Sequence, residues 1–112
     1  MTQVQIGGSL YPAAVTGRLT DAAWNGRESK EITLSMTYAD AAALFVNGAA
    51  WSIVLDVERS DGTTVQETYD NSGFSIAGDL IDHRDGTVTV KMGKPTELEN
   101  ALALLLGGEE DV

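Results

Sequence analysis

Trp51-Ser52-Ile53-Val54-Leu55-Asp56-Val57-Glu58 alternates, with Trp51, Ile53, Leu55 and Val57 on one side and Ser52, Val54, Asp56 and Glu58 on the other. A period of two turns one set toward a core and the other toward solvent, the pattern of a half-buried strand. Ser60-Asp61-Gly62-Thr63 follows. Asp tolerates a tight turn and Gly takes positive φ, so the chain is expected to return as a strand from Thr64 to Tyr69. The same Asp-Gly-Thr triplet recurs at Asp85-Gly86-Thr87, between Leu80-Ile81 and the alternating Val88, Val90 and Met92. Two hairpins are thereby predicted, with Trp51, Ile53, Leu55, Val88, Val90 and Met92 in the core.

Toward the N-terminus the same reading extends. Val4 and Ile6 alternate with Gln3 and Gln5, and Gly7-Gly8 suits a two-residue hairpin turn. Leu10 to Val15 is the return strand, continued toward Leu19, with Pro12 confining it to an edge or a bulge. Asp21 to Lys30 is polar apart from Trp24 and contains Asn25-Gly26, which predicts a loop or wide hairpin. Ile32, Leu34 and Met36 then alternate as a strand. Thr37-Tyr38-Ala39-Asp40 has the spacing of a helix cap, and Asn47-Gly48 a left-handed stop, which predicts a helix over about 38–47.

Toward the C-terminus, Asp70-Asn71-Ser72-Gly73 is a turn, and Phe74 and Ile76 resume the alternation. Thr96 to Glu99 is a second capping box, opening a helix over about 96–106 that Gly107-Gly108 is expected to end. The resulting expectation is a mainly β chain, all-β or α+β. It is an antiparallel sheet or small sandwich of hairpins with two short helices, a single domain over 1–107 and an acidic tail over 108–112.

Seventeen acidic against seven basic residues give a net charge of −10. A nucleic-acid backbone or an anionic membrane surface would repel such a chain, so neither is an expected partner. Ala101 to Leu106, the longest apolar run, is too short to span a bilayer, and Met1 to Gln5 lacks the features of a signal peptide. There is no cysteine, hence no disulfide or thiolate site.

No constellation of residues announces a reaction, and the chain reads as a non-enzyme without a cofactor. His83 is the single histidine. Asp82, His83 and Asp85 read as a solvated turn, because an acid–base pair needs burial that a polar turn rarely offers. Asp79, Asp82 and Asp85 recur every three residues, which lacks the alternate-position acids and terminal Glu of an EF-hand calcium loop. Neither a Gly-x-Ser-x-Gly elbow nor a phosphate-binding Gly-x-x-x-x-Gly-Lys loop is present.

Candidate interface residues are easier to name. Trp24 and Tyr11 are aromatic residues in or near polar loops, suited either to meet a partner or to cover the sheet. In the C-terminal helix, Leu98, Leu102, Leu105 and Leu106 make a stripe at helical spacing and Leu104 points elsewhere. A helix apolar on every side calls for burial on more than one side.

Asp82-His83-Arg84-Asp85-Gly86-Thr87-Val88-Thr89-Val90-Lys91-Met92-Gly93-Lys94-Pro95-Thr96 resembles a segment of small proteins of tailed bacteriophages and prophages of gut Firmicutes. Arg18-Leu19-Thr20-Asp21, Trp24, Gly26-Arg27-Glu28-Ser29 and the stretch from Tyr38 to Trp51 look similar too, so the likeness touches most of the chain from Tyr11 to Leu106. The resemblance implies a virion structural or assembly component, tail-associated, formed in the bacterial cytoplasm and docking on other virion proteins or on itself as a homo-oligomer. It supplies no functional residues, and this sequence departs from it in carrying one short C-terminal helix rather than a long coiled segment. The competing expectation is a binding module for a host-surface ligand such as a glycan, with Trp24 or Tyr11 as the stacking platform.

Overall fold

The computed structural model describes residues 2–110, and the side chains of Ala103 and of residues 106–110 fall outside the description. Strand β1 (Thr2–Ile6) turns through Gly7 and Gly8, both at positive φ (61° and 81°), into the long β2 (Ser9–Asp21). A Cβ at Gly7 would meet the Leu44 side chain at 2.7 Å, so the turn needs glycine there for space as well as conformation. The strand predicted from Leu10 therefore starts one residue earlier and runs to Asp21.

β2 serves two partners in succession. Its first part pairs with β1 up to Gln3↔Pro12, and from Ala13 onward it pairs with β3 (Arg27–Ser35). Pro12, which has no N–H to give, thus sits where one ladder hands over to the next. The other strands are β4 (Trp51–Glu58), β5 (Thr64–Asp70), β6 (Ile76–Asp82) and β7 (Thr87–Gly93). All pairings are antiparallel, and they build one seven-stranded sheet in the order β5-β4-β1-β2-β3-β7-β6. The mainly β reading holds, as a single antiparallel sheet.

The core lies on one face of this sheet and draws on both of its halves. Val4, Ile6 and Trp51 come from one half, and Ile32, Leu34, Val88, Val90 and Met92 from the other. Helix α1 (Tyr38–Leu44) contributes Ala41, the residue after it contributes Phe45, and the β5–β6 loop contributes Phe74. Trp51 meets Phe45 and Phe74 edge-on, with ring centroids 6.5 and 6.3 Å away, and its indole N–H donates to the Phe74 carbonyl at 3.0 Å. Of the predicted core residues, Trp51, Val88, Val90 and Met92 are buried, Ile53 packs against the cluster half-buried, and Leu55 is half-buried. Val54, expected on the solvated side of β4, is buried there, flanked in the ladder by Gln3 and Thr68.

Other boundaries also differ from the sequence reading, and Phe74 lies in the loop before β6 rather than on a strand. The polar Arg27-Glu28-Ser29-Lys30 is strand rather than loop, because the buried side chains of Arg27 and Ser29 find polar partners in Glu99 and Asp21. Helix α1 stops at Leu44 instead of residue 47, since Phe45 turns inward to the core and the Asn47 side chain accepts from the Ala77 N–H at 2.8 Å. Helix α2 (Glu97–Glu110) continues through Gly107-Gly108, which weaken a helix without breaking it. Asp111 and Val112, the end of the expected tail, lie outside the described residues.

The two Asp-Gly-Thr turns form as predicted and are nearly superimposable in their bonding. Asp61 Oδ1 accepts from the Thr63 N–H (3.0 Å) and hydroxyl (2.6 Å), and Asp85 Oδ1 accepts from Thr87 at 2.9 and 2.6 Å. Gly62 and Gly86 both take positive φ, 85° and 90°. In each case the hydroxyl bond, then the N–H bond, holds the aspartate below its ordinary pKa. Asp70 and Ser72 repeat the pattern without a glycine.

Candidate docking surface

The face of the sheet opposite the core carries a polar cluster that ties α2 to the strands. It begins where β2 ends. Asp21 Oδ1 caps a single 3-10 turn at Ala22–Trp24 by accepting from the Ala23 N–H at 3.1 Å. Asn25 (φ 59°) and Gly26 (φ 74°) then reverse the chain into β3. The turn lays the Trp24 ring against Gly78 and Gly93, where an added Cβ would lie 2.7 and 2.8 Å from the indole. The β-bulge between Ala77 and Leu80 is the local irregularity beside this contact.

Buried polar groups flank the ring. Asp21 Oδ2 accepts from Lys91 Nζ at 2.8 Å and from the Ser29 hydroxyl at 3.1 Å. The Lys91 bond is the main reason the Asp21 carboxyl sits below its ordinary pKa although burial pushes the other way. The Arg27 guanidinium lies over the Trp24 ring, 4.7 Å from its centroid, and it grips Glu99 with both arms, Nη1–Oε1 at 2.7 Å and Nη2–Oε2 at 3.1 Å. Nη1 also donates to the Lys94 carbonyl at 3.1 Å.

Glu99 has a second job. Its Oε1 accepts from the Thr96 N–H at 2.9 Å while the Thr96 hydroxyl accepts from the Glu99 N–H at 3.2 Å, which completes the predicted capping box. The Arg27 hydrogen bonds first, and then the Thr96 N–H, pull the Glu99 carboxyl down to about 2. One carboxylate therefore both starts α2 and fastens it. Among the described residues, the hydrogen bonds between α2 and the strands all run through this Arg27–Glu99 fork.

Beyond the fork, α2 shows its leucines to solvent: Leu98 is 70%, Leu102 49%, Leu104 78% and Leu105 67% exposed. The stripe predicted to be a buried helical face is thus uncovered in the single chain, and the side chain of Leu106 lies outside the described residues. The radius of gyration, 16.3 Å, exceeds the about 13 Å of a compact domain of this length.

The other candidate interface residues are placed differently. Trp24 is half-buried, with Gly78 and Gly93 on one side and Arg27 beside it, so it covers the sheet rather than offering an open stacking face. Tyr11 is half-buried against the core and lines a groove of about 290 Å³ with Met36, Asp40, Ala43 and Leu44. His83 is exposed and bonds Thr89 at 2.7 Å, and Asp82 accepts from the Arg84 N–H. Among the described residues no three His, Asp or Glu side chains gather into a metal-ligating group, and no helix is long and apolar enough to cross a membrane.

Sequence reasoning named the leucines and the Thr96–Glu99 box but missed Asp21, Arg27 and Lys91. The available signal was the alternation of Arg27 with Ser29 in step with Glu31, which places them on one strand face. A further polar group was missed on the core face, where Lys30 donates to the Asn71 side chain and stands 4.6 Å from the Phe74 centroid. Burial draws its ammonium below the ordinary lysine pKa. The chain matches no family model, and no curated protein or solved structure matches it either.

Proposed function

We infer that this chain is a structural or assembly component of a phage or prophage virion, tail-associated, that works by protein–protein docking through α2 and catalyses no reaction. The observation that carries the docking reading is the helix itself, with Leu98, Leu104 and Leu105 more than half exposed and Leu102 nearly so, on an element whose hydrogen bonds to the strands, among the described residues, run through one ion-pair fork. Burying a leucine contributes about 1.5–3 kcal/mol, so several together offset the cost of association. The rigid, bidentate fork orients the helix before a partner arrives, which reduces the ordering entropy lost on binding. The virion assignment is supported by the resemblance of the segment from Asp82 to Thr96 and of the stretches around Trp24 and Tyr38 to Trp51. The expected partners are other virion proteins or further copies of this chain.

The test is made on particles. Mass spectrometry of purified virions and of assembly intermediates from the host culture should find the chain in one or both. The double substitution Leu104→Glu and Leu105→Glu should deplete it there while the isolated protein keeps its circular dichroism and thermal midpoint. Incorporation of that variant at the parental level would refute docking through α2, and absence of the parent from both fractions would refute the virion assignment.

A further inference from the structure

The two edges of the sheet are built differently. β6 is guarded by its bulge between Ala77 and Leu80, the kind of irregularity that discourages strand addition. β5 pairs with β4 without a break from Thr64 to Asp70 and contains no proline, lysine or bulge. Among the described residues it has β4 as its single strand neighbour.

The direction of the free backbone groups follows from the ladder. The bonds Arg59 N–H to Thr63 carbonyl and Asn71 N–H to Trp51 carbonyl, each 2.8 Å, bracket it. Antiparallel pairs alternate between bonded and non-bonded, so Val65, Glu67 and Tyr69 bond inward to β4. Thr64, Gln66, Thr68 and Asp70 therefore aim their N–H and C=O groups outward, and their side chains are all exposed.

We propose that β5 is an interface for a second copy of this chain, the two β5 strands pairing antiparallel about a two-fold axis through Thr68 to continue the sheet across both. The side chains select this partner and register. Centring on Thr68 sets Thr68 against its own copy, Gln66 against Asp70, and Glu67 against Tyr69, each pair occurring twice by symmetry. Tyr69 already donates to Glu67 within the chain, so the same donor and acceptor are presented across the axis. Centring on Glu67 instead would oppose two carboxylates. The residual obstacle is charge, since the hairpin from Trp51 to Asp70 carries Asp56, Glu58, Asp61, Glu67 and Asp70 against Arg59. Like-charged surfaces repel less when salt screens them, so this interface strengthens with ionic strength.

Sedimentation velocity on the full chain over a concentration series, at low and at high salt, tests it. A reversible dimer that tightens at high salt is expected. Thr68→Pro removes an outward N–H without touching the β4 ladder, and Thr68→Lys places two ammonium groups at the axis; each should weaken the dimer at least about tenfold with unchanged circular dichroism. In the parent, amide exchange at Gln66, Thr68 and Asp70 should slow as concentration rises, a readout that survives if either variant fails to fold. A parent that stays monomeric, or folded variants that dimerise like the parent, would overturn the proposal. A dimer abolished by Leu104→Glu and untouched by Thr68→Pro would assign the association to α2 instead, so the two surfaces fail separately.

Discussion

The two helices begin alike and end in opposite circumstances. Each is opened by a threonine hydroxyl that accepts from the N–H three residues on, Thr37 from Asp40 at 3.1 Å and Thr96 from Glu99 at 3.2 Å. Helix α1 then buries Ala41 and delivers Phe45 to the core beside Trp51, whereas α2 leaves its described leucines in water. A cap decides where a helix starts; the surface it is offered decides what it is for. The lengths follow the same division, since the shorter helix is stabilised by packing and the longer one is fastened at its first turn.

That contrast can be broken most forcefully at the core. Trp51→Ala should cost about 3–5 kcal/mol in a denaturant melt, because it removes the ring on which Phe45 and Phe74 rest. A variant that melts like the parent would show that α1 has no platform there. Thr37→Ala should cost about 1 kcal/mol of global stability, the usual worth of an N-cap. Thr96→Ala should leave the global midpoint nearly unmoved and instead speed amide exchange in the first turn of α2, because that helix frays without unfolding the sheet.

Acid separates the helices further. The Glu99 carboxyl is lowered to about 2, below its unfolded value, so its stabilisation is fully present above the unfolded pKa and fades as pH falls toward about 2. Amide protection in α2 should therefore decline across that acid window, and Arg27→Gln should weaken the dependence by removing the main partner while the Thr96 N–H remains. Loss of α2 protection already near neutrality in the parent would contradict the fork. The smallest effect is expected at Leu104→Ala, within about 0.5 kcal/mol for the isolated chain, as for other exposed positions. A larger destabilisation would mean that α2 packs on its own domain.

What was legible in the sequence was local. Gly7-Gly8 and the Asp-Gly-Thr triplets carry their turn geometry in adjacent residues, and the alternation from Trp51 to Glu58 needs no distant partner to be read as a strand. The four residues from Arg27 to Lys30 were opaque for the opposite reason. Their strand character depends on Glu99 and Asn71, and on Asp21 held in turn by Lys91, none of which their own neighbours predict. Asn47-Gly48 misled because its left-handed glycine (φ 83°) is real but serves a turn after the helix has already ended. The leucines of α2 were found by spacing, yet spacing says only that a face wants cover, and whether the chain itself covers it is a fact of tertiary structure.

β2, the strand that serves two ladders in turn, has a consequence for how the molecule assembles in time. It is the strand whose two neighbours in the sheet, β1 and β3, are also its neighbours in the chain. The meander β1-β2-β3 closes only short loops, whereas β4 must find β1 and β7 must find β3 across long stretches of chain. The meander is then expected to act as the nucleus on which the β4–β5 and β6–β7 hairpins condense. In stopped-flow measurements Val15→Ala should mainly slow refolding, and Val65→Ala, at the rim, should mainly hasten unfolding.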